Sequence, residues 1–122
     1  MIRFSDEHVW VRQEGDSGVV GITPHAQDTL GDIVFVELPA IGKAILQKEV
    51  AGVVESVKAA ADVFAPVDGT VTEVNEALRA DPSLANSDPL GAGWFYKVKL
   101  DNPKQLQGLM DEADYAMFSQ NS

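Results

Sequence analysis

The chain has 122 residues, nine Lys and Arg against nineteen Asp and Glu, and no cysteine. A net charge of −10 repels phosphate backbones, so no nucleic acid partner is expected, and it steers the protein toward basic patches on other proteins. Without cysteine there is no disulfide, thiolate nucleophile or Cys-based metal site, so any sulfur chemistry must arrive with a cofactor.

The length fits a single domain, 1–122, able to bury a core without staples. No apolar run is long enough to span a bilayer, and Met1-Ile2-Arg3-Phe4 does not open a signal-peptide core. The cytoplasm is expected, or whatever compartment an upstream targeting segment would lead to; a monomer with no membrane partner is expected as well. His8 and His25 are far apart in sequence and sit in no metal-ligand spacing, so each reads as a packed or capping residue. No acid–base pair, nucleophile constellation or phosphate loop appears, which argues against an enzyme.

In chain order, Val9-Trp10-Val11 reads as a short strand, Glu14 to Gly18 as a turn and Val19 to Ile22 as the next strand. Thr23 followed by Pro24 gives a helix start, and Gly31 gives its stop after Leu30. Asp32 to Leu38 is apolar on both faces, which suggests a strand held between two layers. Pro39 to Gly42 is a turn and Ala44 to Gln47 a short strand.

Val50 to Val57 is a β-branched run, and Val63 to Pro66 a second short strand, so residues 50–66 form a hairpin with Lys58 at its tip. A lysine there has its backbone held and its side chain in solvent, within reach of an enzyme that must modify it. After it, Asp68-Gly69 signals another hairpin turn, and Thr70 to Val74 alternates like a half-buried strand. Asn75 can cap a turn through Leu78, and Asp81-Pro82 opens another through Ala85. Asn86 to Pro89 reads as a loop and Gly91-Ala92-Gly93 as flexible chain. Trp94 to Leu100 is the last strand, with Trp94, Tyr96 and Val98 on one face and Phe95, Lys97 and Lys99 on the other. Leu106, Leu109 and Met110 form a helical stripe in a C-terminal helical part at 103–119. Within it, Asp111 to Phe118 is the main helix, with Tyr115 and Phe118 inward and the last four residues frayed. Many short strands with turns between them predict a mostly β fold, a sandwich or partly closed barrel.

Several stretches resemble the glycine cleavage system H protein family when taken together and in order. They are Gly21-Ile22-Thr23 with His25-Ala26-Gln27, then Leu30 to Pro39, then Val54-Glu55-Ser56-Val57-Lys58-Ala59 and Ala65-Pro66-Val67-Asp68-Gly69. Glu73-Val74-Asn75, Asn86 to Pro89 and Gly91 to Trp94 complete the match over almost the whole chain. The resemblance implies a barrel-sandwich hybrid with short helices and a C-terminal helix. It implies a carrier whose Lys58 holds lipoate through an amide. It also implies the partners glycine decarboxylase, a tetrahydrofolate-dependent aminomethyltransferase and dihydrolipoamide dehydrogenase, with a lipoate ligase or lipoyl/octanoyl transferase to attach the cofactor. In the family an aminomethyl group passes from the decarboxylase to one lipoyl sulfur, and the dithiol is reoxidised at the end of the cycle. Two other roles fit the same residues: a lipoyl or octanoyl relay for 2-oxoacid dehydrogenases, and an unmodified regulatory scaffold.

Around Lys58, Gly52 lets another backbone approach the hairpin, and Glu55 presents a carboxylate to the modifying ligase or is simply solvated. Asp62, on the other arm, stabilises the turn or contacts the loaded arm. Val57 and Ala59 flank the lysine where biotin carriers typically have methionines, which argues against biotin. One departure stands out. The family commonly reads His-Glu-Trp where this chain has His8-Val9-Trp10, and that glutamate helps hold the amine of the loaded arm. Val9 cannot, and Glu7 is the candidate to replace it, on the expectation that an extended segment turns residues i and i+2 to one side.

Overall fold

The computed structural model describes residues 1–120. In order it contains β1 (Ile2–Phe4), β2 (Val9–Glu14), β3 (Ser17–Ile22), α1 (Pro24–Leu30), β4 (Ile33–Glu37), β5 (Ala44–Ile45), β6 (Val50–Ser56) and β7 (Ala60–Phe64). There follow β8 (Gly69–Val74), α2 (Glu76–Ala80), α3 (Leu84–Ser87), β9 (Tyr96–Leu100), a 3₁₀ segment (Pro103–Gly108) and α4 (Glu112–Gln120).

The strands form two sheets, one ordered β1-β2-β3-β9-β8-β5 and one ordered β4-β6-β7, and neither closes into a barrel. The mostly β fold with short helices and a C-terminal helix is as expected. Period-2 alternation builds the larger sheet: Val9, Val11 and Val20 enter the main core, while Trp10 and Val19 pack from the opposite face with Phe4 and Tyr115. The smaller sheet supplies Ile33, Val36, Val54 and Val63 to the same main core, so that core lies between the two sheets. Buried Trp10 ties three segments together, its indole N–H donating to the carbonyls of Ile22 and Pro89 at 2.9 Å each.

Helix α1 starts and stops where its sequence says. Thr23 Oγ1 accepts the Ala26 N–H at 3.1 Å, Pro24 sits at the start, and Gly31 takes φ 81° at the stop. With seven residues it has no helical reserve of its own and depends on packing.

Several expectations are corrected. Strand β4 is an edge strand: a bulge between Ile33 and Phe35 leaves Ile33 and Val36 inward and turns both Val34 and Phe35 out to solvent. Asp68-Gly69 makes no hairpin; the chain crosses there from the smaller sheet to the larger, where β8 pairs with β5 and β9. The second arm of the 50–66 hairpin begins at Ala60 rather than Val63. Asn86 and Ser87 are helical rather than loop. Gly91 to Gly93 is pinned, because the carbonyl of Asp88 accepts from Gly91 and Gly93 at 3.1 and 2.8 Å and its carboxylate from Ala92 at 2.9 Å. Phe95 precedes β9 and is buried in the main core, not turned out with Lys97 and Lys99. The short β1 carries no alternation signal; it is made by pairing with β2 and by an isolated bridge from Phe4 to Met110. The stripe at Leu106, Leu109 and Met110 is not one helix, since the 3₁₀ segment ends at Gly108. Ser119 and Gln120 belong to α4, while Asn121 and Ser122 lie outside the described residues.

Candidate functional site

The hairpin β6–β7 places Lys58 in the three-residue link at its tip, exposed, with the backbone fixed on both sides. Ser56 does most of this work. Its N–H donates to the Ala59 carbonyl at 2.7 Å, and its Oγ accepts from the N–H groups of Lys58 and Ala59 at 3.1 Å each. Val57 N–H donates to the Asp32 carbonyl at 3.0 Å, so the tip is also fastened to the start of β4. That start is itself clamped. Asn86 Oδ1 accepts the Ile33 N–H, and its amide donates to the Gly31 carbonyl and to Gln27 Oε1, all at 2.9 Å. Sequence reading missed Ser56 and Asn86. A serine opening a turn was an available signal for the first, whereas nothing local marks an asparagine fifty residues from its partners.

The lysine's stem lies over Gly31, where an added Cβ would come 3.2 Å from Lys58 Cε. Beyond Gly31 opens a groove of about 370 Å³. Its walls are α1, through His25, Ala26, Thr29 and Leu30, and the hairpin, through Val54, Ala61, Asp62 and Val63. Glu7, His8 and Val9 close it. A seven-residue helix is about 10 Å long, so the groove leads from the lysine's end of α1 to its start.

Gly52 answers to backbone contact: a Cβ there would collide with the Glu37 carbonyl of the neighbouring strand. Glu55 is exposed on the outer face of the small sheet, opposite Phe35 and Ala60. Asp62 is exposed, opposite Val53, and lines the groove, while the hydrogen bonds across the tip come from Ser56. Val9 is buried and lines the groove. Glu7 reaches the same groove by a route other than the one expected. It lies in a turn, not an extended segment, with its N–H bonded to Ser5 Oγ at 3.2 Å and His8 beyond it at φ 63°. Its carboxylate also stands 3.7 Å from Lys48 Nζ, which bonds Asp6 at 3.0 Å.

The two histidines, distant in sequence, meet here with ring centroids 4.6 Å apart. His8 Nδ1 is 2.6 Å from the Tyr115 hydroxyl, which is 2.7 Å from Thr23 Oγ1, so one chain links α4, the cap of α1 and the groove. Burial, then the neighbouring His25, hold the His8 imidazole below its usual pKa, against a smaller opposing pull from Asp6. Among the described residues no cluster of His, Asp and Glu could hold a metal ion.

A β frame that presents an exposed lysine at a hairpin tip beside a groove defines a carrier-type domain. The glycine cleavage H-protein family model matches residues 2–122. A glycine cleavage system H protein of Chromobacterium violaceum is 58% identical over 116 residues, 94% of this chain and 91% of that protein. One from Beijerinckia indica is 55% identical over 95% of this chain and 94% of its own length. The crystal structure of a glycine cleavage system H protein from Mycobacterium marinum superposes with a TM-score of 0.88 at 37% identity, covering 98% of this chain and 95% of that one. The chain belongs to the glycine cleavage H-protein family, whose members are carrier components rather than catalysts.

Proposed function

We propose that the chain, as one domain over 1–122, is the lipoyl-carrying shuttle of the glycine cleavage system, with lipoate in amide linkage on Lys58. The observation that carries this reading is the tip itself: an exposed lysine whose backbone is fixed by Ser56 and Asp32, with its stem over Gly31 at the mouth of a groove. The residues present fit such a group, since Gly31 leaves open the space that a Cβ would crowd. Lipoate would be held through an amide to the Lys58 side-chain nitrogen, which removes that lysine's positive charge. Bound there, the dithiolane supplies the sulfur that this chain lacks.

The chain's own part is to hold and to shield. Val54, Val63 and Val9 give the groove an apolar lining, and the acidic residues Asp62 and Glu7 also line it. Such carboxylates suit an amine carried at the end of the arm. Glu7 stands in for the family's glutamate at Val9, reaching the groove from the turn at 5–8 and sharing its charge with Lys48. Glycine decarboxylase, aminomethyltransferase and dihydrolipoamide dehydrogenase are then its partners, met by a monomer in the cytoplasm.

Two measurements test this. Lys58→Arg keeps the charge but cannot form the amide, so glycine cleavage is abolished while the unfolding temperature stays put; retained activity refutes the reading. Glu7→Gln speeds loss of the aminomethyl group from loaded protein at least several-fold, since a hydrogen bond to a charged group is worth about 1.5–3 kcal/mol. Val9→Glu added to that variant restores protection. Equal decay in wild type and Glu7→Gln removes Glu7 from the account.

A further inference from the structure

The small sheet covers its inner face with the core and leaves its outer face bare. Cross-strand register puts Phe35, Glu55 and Ala60 in one row of that face and Glu37, Val53 and Asp62 in the next. The bulge in β4 adds Val34, so that Val34 and Phe35 are 56% and 51% exposed side by side, with Val57 at the tip 67% exposed. A regular strand would have turned one of those two inward. Bulges recur beside functional sites because they re-aim side chains. The carboxylates of Glu37 and Glu55 interleave with these apolar groups, and β4, β6 and β7 contain no Lys or Arg. An apolar cluster rimmed by one sign of charge is the pattern of a protein-docking surface.

We propose that this face, with Phe35 as its anchor, is the docking surface for the enzyme that acylates Lys58, whose own surface offers an apolar pocket ringed by basic residues. The inference rests on the assignment of Lys58 as the attachment site. Two observations select this partner. The face is continuous with the tip, since Val57 N–H is bonded to Asp32 just before β4 and Glu55 lies three residues before the lysine. An acylating enzyme must also bring its catalytic centre to Nζ itself, so its footprint has to include the surface around the tip. Enzymes that act on the far end of a loaded arm stand an arm's length away and need not touch it. Charge complementarity is one-sided here: acylation removes the one cation at the tip and leaves Glu37 and Glu55, so the basic ring has carboxylates to meet before and after the reaction.

The test uses the full unmodified chain with a purified lipoate ligase, lipoate and ATP, read by intact mass over time and by equilibrium binding of the apoprotein to the ligase. Phe35→Ser is expected to lower kcat/KM for acylation about tenfold through KM, as loss of an interface anchor does, and to weaken binding equally. Ile41→Ser, 65% exposed in the turn before β5, serves as the control and stays at the wild-type rate. Should Phe35→Ser unfold, Val34→Ser takes its place with the same expectation. Glu37→Gln with Glu55→Gln flattens the rise of KM with salt, exposed charges being screened over roughly 8 Å at physiological ionic strength. Wild-type rates for the Phe35 or Val34 variant overturn the docking face and leave the attachment site standing. Failure of the wild-type chain to gain mass at Lys58 removes the attachment site, and the docking face with it.

Discussion

The two sheets are covered differently. Over β1 to β3 the larger sheet is packed on both faces, by the main core on one side and by Phe4, Trp10, Val19 and Tyr115 under α4 on the other. The three-stranded sheet packs on one face and leaves the other to solvent. The difference separates holding from presenting. The larger sheet is a frame whose side chains are spent on packing, and the smaller one carries the lysine and its acidic, apolar surroundings outward. The main core joins them; within the small sheet the close Gly52 contact holds β6 against β4, and the Asn86 side chain ties α3 to the start of β4.

The sharpest way to break this arrangement is Gly52→Ala. The new methyl collides with the Glu37 carbonyl, so β4 and β6 must part; overpacking of this kind costs about 1–3 kcal/mol. Thermal unfolding should show a drop of several degrees, and the amides of β4 should exchange faster than those of β2 and β3. Equal exchange across both sheets would mean that the small sheet is not a separable presenting layer.

Asn86→Ala gives a comparable or smaller loss. It leaves the Ile33 N–H and the Gly31 carbonyl without their partner, about 1–3 kcal/mol if they stay buried and less if water reaches them. Its signature is local: faster exchange at Ile33 and Val57, since the Asp32 carbonyl that holds Val57 moves with them, and little change at Trp10. A uniform loss of protection would contradict the clamp.

The smallest effect belongs to the frame. His8 is held neutral, with its pKa below the usual 6.5. The unfolded chain therefore binds the extra proton first, and the stability that His8 contributes is full above about pH 6.5 and is lost as pH falls toward the folded-state pKa. With Nδ1 as acceptor, the chain from Ala26 N–H through Thr23 and Tyr115 to His8 gives every donor an acceptor, and protonation reverses it. The fall in unfolding temperature between pH 7 and pH 5.5 should be shallower in His8→Asn, a substitution that tolerates φ 63°. An unchanged slope would show that His8 does not titrate with folding.

Where a structural decision is local, the sequence reveals it. The Thr23-Pro24 start and Gly31 stop of α1, the cap at Asn75, the hairpin that lifts Lys58 and the need for glycine at 52 all follow from residue type and spacing. What stayed hidden is set by partners far along the chain. The apolar run at 32–38 cannot announce a bulge, because an extra residue is defined only against the opposing β6. Asp68-Gly69 has the composition of a hairpin turn, yet the strands on either side find other partners. Glu7 was expected at the groove on the strength of an extended segment, and it arrives there from a turn that positive φ at His8 completes.

The most direct test of the central claim is intact mass, with peptide mapping, of the protein purified from its native source. A single added lipoyl group is expected, found on Lys58 and absent from Lys43, Lys48, Lys97, Lys99 and Lys104. Lipoyl on any of those five, or a chain that is unmodified throughout, would contradict it.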